Sequence, residues 1–410
     1  MDWVVLLVFA GAYLGMVLGR LPRLAIDRTG IALLGAIVLV ASGRLSPEAA
    51  WRAIDVPTVT LLLGLMVVSA QLRLGGFYSE VTRRIAALGC GPAALLAAVV
   101  AVVATLSAVL ANDVVCLAVA PLLVVGCLRR GLRPEPFLLG LACAANVGSA
   151  ATLIGNPQNM LIGQRLGMSF AGYLVDGLPT AAAGCVVTWA VIVAVYRRSW
   201  TCTPREVTVH APTFNPWQSA KGLVIVVLLV LLFLMAPIPR EVSALTAAGI
   251  LLASRSMRSR DTLGLVDWQL LVLFAGLFVV QHGLAESGML TRALDATAAW
   301  GVDLGAPAWL FAATVVLSNL VSNVPAVMLL LPAAQHPGAG AILALASTLA
   351  GNLLLVGSIA NLIVVDQAAR LGIHIGWRQH ARVGVPVTVA TLALAAAWLA
   401  LRSVAAAALG

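Results

Sequence analysis

Two copies of one pattern lie 212 residues apart in this chain. Sliding the sequence by that amount places 55–76 on 267–288 without a gap, and eight of the 22 positions coincide. Asp55/Asp267, Gly64/Gly276 and Gly76/Gly288 are among them, residue types that apolar composition alone does not bring into register. A shift of 211 then pairs Leu106-Ser107 with Leu317-Ser318, Asn112 with Asn323 and Pro121 with Pro332. Farther on, after a short gap, Asn146 falls on Asn352, Gly155 on Gly357 and Asn159 on Asn361. A duplication of this length implies two like halves, 1–196 and 222–410. The polar stretch 197–221, which holds Pro204, Pro212 and Pro216, reads as a cytoplasmic linker between them.

Composition decides the solvent. Hydrophobic residues make up 61% of the 410 and charged residues only 10%, against about a quarter charged in soluble domains. At roughly 20 residues per span the apolar stretches supply about ten crossings. A soluble enzyme is excluded, as is one carrying a single anchor. The stretches at 92–128 and 307–335 each have two apolar arms around a polar tip. Those arms, roughly 10 to 16 residues, are short for a crossing and predict re-entrant hairpins. Each half then has five crossings and one hairpin. Five is odd, so the second half is inverted relative to the first. The expected fold is an all-α polytopic membrane protein of two inverted-topology repeats with discontinuous helices.

Basic residues test the topology. Arg20, Arg23, Arg28, Arg73, Arg83, Arg84, Arg129, Arg130, Arg133, Arg197, Arg198, Arg205 and Lys221 fall on one face. Arg255, Arg258, Arg260, Arg370, Arg378 and Arg382 join them, giving 19 of the 25. Arg44, Arg52, Arg165, Arg240, Arg292 and Arg402 fall on the other. The positive-inside rule makes the first face cytoplasmic and puts both termini outside, in a bacterial-type inner membrane. The formal charge of +9 is therefore topological; the expected partner is the lipid bilayer, not nucleic acid. Met1-Asp2-Trp3 lacks a basic n-region, so the first apolar stretch reads as a retained span.

Polar residues at membrane depth are costly and mark function. One cluster is the first tip, Ser107 to Asn112 and Asp113. A second is the other tip, Ser318 to Ser322 and Asn323. The third and fourth are helix breaks: Asn146 with Ser149, Thr152, Gly155, Asn156 and Asn159, then Asn352 with Gly357, Ser358 and Asn361. Pro157 removes a backbone donor and Gly155 tolerates unusual torsions, so the helix should unwind there. Unwound carbonyls hold cations, and half-helix N-termini face anions or polar solutes. Asp113 is the only acid in the first hairpin, and its repeat partner is Val324. It reads as a proton or Na⁺ coupling group, or as a cap of the second arm; Na⁺ would sit near Asn112, Asp113 and Asn323. Pro121 and Pro332 read as helix-shaping, and Asp176, Glu286 and Asp366 as solvated charges at span ends.

No cofactor or structural metal is expected. The six cysteines form no C-x-x-C pair, and five lie in or beside apolar stretches as small hydrophobes. The five histidines, His210, His282, His336, His374 and His380, form no H-x-x-x-H pair. No phosphate loop, H-E-x-x-H or G-x-S-x-G string is present, which argues against ATP-driven pumping and against an enzyme.

The strings Leu106-Ser-Ala-Val-Leu-Ala-Asn-Asp113, Asn146-Val-Gly-Ser-Ala-Ala-Thr-Leu-Ile-Gly-Asn-Pro-Gln-Asn159 and Leu317-Ser-Asn-Leu-Val-Ser-Asn-Val-Pro325 resemble the ion transporter superfamily. That group includes divalent anion/sodium symporters, citrate carriers, sodium/proton antiporters and arsenite carriers, and the nearest likeness is to the YbiR-like anion transporters. The resemblance implies a scaffold domain and a mobile transport domain with two opposed hairpins, working as an elevator. It also implies a homodimer, which is common among the symporters. In the dicarboxylate carriers Ser-Asn-Thr tips hold carboxylates and Na⁺; here the threonine is replaced by Asp113 and Val324. Ala111-Asn112-Asp113 is more similar to the arsenite-carrier tip, which implies proton coupling. The expected function is secondary active transport of a small oxyanion, carboxylate or metalloid hydroxide, coupled to H⁺ or Na⁺. The alternatives are a Na⁺/H⁺ antiporter exchanging through Asp113, and a channel of the same architecture.

Overall fold

The computed structural model describes residues 2–18, 26–209, 212–254 and 256–409. Arg20, Arg23, His210 and Arg255 lie outside the described residues. Among the described residues the chain is helical apart from its connections, with an isolated bridge between Leu132 and Thr201.

The first half runs α1 (Trp3–Leu18), α2 (Arg28–Ala41), α3 (Pro47–Ala53), α4 (Val56–Leu74), α5 (Phe77–Ala86), α6 (Pro92–Val109), α7 (Asn112–Arg129), α8 (Pro134–Ser149), α9 (Pro157–Arg165) and α10 (Phe170–Tyr196). The second runs α11 (Pro216–Met235), α12 (Arg240–Leu252), α13 (Ser259–Leu263), α14 (Trp268–Glu286), α15 (Met289–Ala299), α16 (Pro307–Val321), α17 (Asn323–Leu330), α18 (Ala339–Ala350), α19 (Ile359–Arg370) and α20 (Trp377–Leu409). Each helix of one half has a counterpart at the same place in the other. Seven are long and apolar enough to cross a bilayer: α4, α6, α7, α10, α11, α14 and α20. The polar connection is shorter than its composition suggests. Proline is favoured in the first turn of a helix, and α11 already begins at Pro216, where Asn215 accepts from the Gln218 N–H.

The coincident residues of the repeat now have causes. Asp55 caps α4 through the Thr58 N–H at 2.9 Å, and Asp267 caps α14 through the Leu270 N–H at 3.0 Å. Gly76 and Gly288 precede α5 and α15 with φ of 70° and 69°, a conformation that disfavours other residues. Gly64 and Gly276 sit where helices cross. A Cβ on Gly64 would lie 2.6 Å from the Ala244 backbone of α12, and one on Gly276 2.8 Å from the Ala32 backbone of α2. The packing is reciprocal: α4 runs along α12, and its counterpart α14 runs along α2. Small residues allow such close backbone approach between apolar helices.

The first hairpin differs from expectation in its arms. Helices α6 and α7 each have 18 residues, about 27 Å at 1.5 Å per residue. Length therefore does not distinguish them from crossings. What marks the hairpin is its tip, which turns at 110–111 and docks on the break between α8 and α9. The Asn112 N–H donates to the Gly155 carbonyl at 3.2 Å. The second hairpin has short arms as expected, with α16 of 15 residues and α17 of 8.

Replacing Gly64 or Gly276 by alanine should cost about 1–3 kcal/mol, because the new methyl group meets backbone. Gly249→Ala, where nothing lies within 4 Å, should be neutral or stabilising; thermal unfolding in detergent checks all three.

Candidate functional site

At both breaks the chain leaves the helix and strands backbone carbonyls away from water, where each needs a partner. Two asparagines supply them. In the first break Asn159 Nδ2 donates to the Ser149 and Thr152 carbonyls at 3.4 and 3.0 Å. In the second, Asn361 Nδ2 donates to the Gly351 and Leu354 carbonyls at 2.8 and 3.3 Å. The helices that resume are capped alike: Asn156 accepts from the Asn159 N–H, and Ser358 from the Ala360 N–H.

Each break is held by a side chain of the other half. Asn146 on α8 donates to Asn361 Oδ1 at 3.2 Å and to Asn352 Oδ1 at 2.8 Å, and accepts from Ser358 Oγ at 2.9 Å. Thr348 on α18 donates to Asn159 Oδ1 at 3.2 Å and accepts from Asn156 Nδ2 at 3.1 Å and Gln158 Nε2 at 3.3 Å. Thr348, not Asn352, is thus the counterpart of Asn146; a shift of 202, which aligns Asn159 with Asn361, brings them together. Carrying that offset back through the gap would have revealed Thr348. The carbonyl of Asn352 instead matches that of Ala150. Tyr173 of α10 donates to Ala150 O at 2.8 Å, and the His380 ring of α20 lies 3.0 Å from Asn352 O. Tyr173 and His380 were not legible as site residues, because their partners are backbone atoms.

The two tips meet this centre differently. Asn112 Nδ2 donates to Asn146 Oδ1 at 3.3 Å, and Thr152 Oγ1 donates to the Ala108 carbonyl. Gly155 fits because a Cβ there would lie 2.4 Å from Ser149 O and 2.7 Å from Ser107 O. The second tip makes no such bonds among the described residues. Ser322 at its apex has φ 77° and ψ 160°, the one non-glycine residue with positive φ described, a conformation costing about 1–3 kcal/mol. Ser107 Oγ and Asn112 Oδ1 are buried without a partner, as are Ser318 Oγ, Asn319 Oδ1 and Asn323 Oδ1.

The polarity of the centre follows from a chain of amides. Asn361 must turn its NH₂ to the Gly351 carbonyl, so its oxygen faces Asn146. Asn146 answers with its NH₂ and turns its own oxygen to Asn112, whose NH₂ is used in turn. What remains facing the tips is the Asn112 oxygen, an acceptor. Along this chain donors are consumed inward, and an acceptor is left at the first tip.

Asp113 lies in the first turn of α7 but does not cap it: the N-cap is Ala111, with no side-chain bond. The carboxylate has no ion pair among the described residues. Three other acids have partners. Asp176 pairs with Arg402, Asp366 with Arg370 at 2.9 Å, and Glu286 with His282 at 3.2 Å.

Broken helices held across a duplication, with hairpin tips turned onto a buried polar centre, define a polytopic membrane transporter. The chain belongs to the citrate transporter family, whose model matches residues 3–350. It is 32% identical to the inner membrane protein YbiR of Escherichia coli, over 82% of this chain and 85% of that one. To the silicon efflux transporter LSI3 of Oryza sativa it is 29% identical, over 91% and 92%. A solved structure, the YdaH transporter of Alcanivorax borkumensis, shares the fold with a TM-score of 0.58 at 16% identity, covering 97% of this chain and 96% of that one.

Asn146→Ala strands the oxygens of Asn352 and Asn361 and should lower stability by about 2 kcal/mol or more. Ser322→Gly removes the backbone strain and should raise stability by about 1 kcal/mol. Unfolding midpoints of the purified variants check both.

Proposed function

We propose that the protein is a secondary active transporter of a small, neutral, hydroxylated solute, a metalloid hydroxide of the silicic- or arsenous-acid type. The observation that carries this reading is the set of orphaned groups at the tips, the Asn112, Asn319 and Asn323 oxygens with the Ser107 and Ser318 hydroxyls. A carboxylate or oxyanion needs several donors, and the amide donors of Asn112, Asn146, Asn156, Asn159, Asn352 and Asn361 are engaged within the protein, which leaves the Asn323 amide and the Ser107 and Ser318 hydroxyls beside the unpaired oxygens. No arginine or lysine stands at either tip, and α9 and α19 are already capped. The N-terminus of α17 has no side-chain cap, so it supplies N–H groups beside the acceptors of Ser318 and Asn323. A hydroxyl group donates and accepts, and suits that mixture. The name of the rice relative, a silicon efflux transporter, agrees with this class.

The reading includes alternating access of the elevator type across the inner membrane, with two inverted repeats and both termini outside. Its support is the reciprocal packing of the halves and the grouping of arginines. One cavity of about 570 Å³ gathers Arg52 and Arg165, while another of about 600 Å³ gathers Arg73 and Gln367. A membrane-impermeant maleimide should label cysteines at Ser46 and Gly338 in intact cells and leave one at Ser256 unlabelled.

Coupling is assigned to Asp113, as a proton or Na⁺ site beside the Asn112 and Asn323 oxygens, because its carboxylate neither caps a helix nor pairs with a base. In proteoliposomes, silicic and arsenous acids should exchange and citrate should not; uptake of citrate alone would sink the solute assignment. Asp113→Asn should abolish ion-driven accumulation while solute exchange at equilibrium persists. A Na⁺-driven pH change without solute would favour the antiporter instead.

A further inference from the structure

The last turn of α9 is fastened to the first turns of two neighbouring helices. Arg165 Nε lies 2.6 Å from Asp55 Oδ2 at the start of α4, and its guanidinium carbon 5.4 Å from the Phe278 ring centre. Gln164 Nε2 donates to Glu241 Oε2 at 2.9 Å, and Arg240 Nη2 donates to the Gly163 carbonyl at 2.7 Å, both at the start of α12. All three contacts tie a broken helix of the central site to α4 and α12, which pack along each other.

The other half carries related groups. Asp267 opens α14 as Asp55 opens α4, and Arg28 opens α2 as Arg240 opens α12; the offset of 202 sets Gln367 opposite Arg165, and Arg370, which ends α19, lies about one turn beyond it. There they are apart. Arg370 pairs with Asp366 of its own helix at 2.9 Å, and Gln367 donates to the same carboxylate at 3.2 Å. Arg28 Nε is buried without a partner, and Asp267 has no ion pair among the described residues. Helix α9 packs against α4, and α19 has no comparable packing against α14. One set of groups joins two helices across their ends, and the related set makes contacts only within its own helices.

We infer that these residues are two alternative latches, one at each end of the site, which close in turn as the broken helices move. This inference rests on the alternating-access reading above. In the state described here the Asp55–Arg165 latch is closed. In the opposite state Arg370 leaves Asp366 for Asp267, Arg28 takes a carbonyl of the last turn of α19, and the contacts of α9 part. The Arg165 side chain is half-exposed, so solvent screens the pair and opening it costs little.

Cross-linking tests this directly, without any solute. In membranes, a short bifunctional maleimide should join cysteines placed at Asp55 and Arg165. It should also join cysteines placed at Asp267 and Arg370, with the parent chain as the blank for its native cysteines. Asp55→Asn, which keeps an oxygen to cap α4, and independently Arg165→Gln, should each raise the yield of the second pair about threefold by shifting population. A second pair that never cross-links, or whose yield stays flat or falls in both variants, overturns the latch proposal. Cross-links that respond as stated in a protein that carries no hydroxylated solute would sink the solute assignment and leave the latches standing.

Discussion

Two side chains, Asn146 and Thr348, each reach from one half of the protein into the helix break of the other, and the centre depends on that exchange. Each break exists only because an asparagine closes its carbonyls, Asn159 in the first and Asn361 in the second. Those asparagines are in turn aligned by the partner half. In a bilayer an unpaired carbonyl costs several kcal/mol, so the breaks, the halves and the orientation of every amide are settled together. The Asn112 oxygen at the first tip is the outcome: with its NH₂ committed to Asn146, only its oxygen is left over.

A duplicated chain invites symmetry, and this one departs from it where function needs a difference. The first tip is bonded into its break through Asn112 and Thr152, and the second is strained at Ser322 with three side-chain oxygens unmet. One set of arginine contacts joins two helices, and the related set stays within its own helices. The Asp113/Val324 substitution breaks the repeat in the chain itself, placing one ionisable group on one tip only.

The fold was legible because its causes are local or periodic. Apolar runs, aspartate caps and glycines at crossings act within a few residues, and the repeat showed them twice. The breaks were legible for a similar reason, since Gly155 and Pro157 act on their own backbone. Arm length failed for the first hairpin because composition does not show where a helix stops; the tip is defined by its contact with Gly155. Thr348, Tyr173 and His380 escaped notice because a threonine in an apolar helix, a tyrosine or a histidine acquires its role only from what it touches.

By itself the sequence determined a duplicated, membrane-embedded helical chain with polar breaks and tips, because hydrophobic burial, capping and backbone torsions follow from neighbours along the chain. Which amide faces which carbonyl, and so whether the centre presents donors or acceptors, was decided only in the tertiary structure. The same holds for which of two related arginine contacts is closed. Hydrogen-bond direction and ion pairing depend on groups 110 to 215 residues apart being brought within 3.2 Å, and no local property of the chain encodes that.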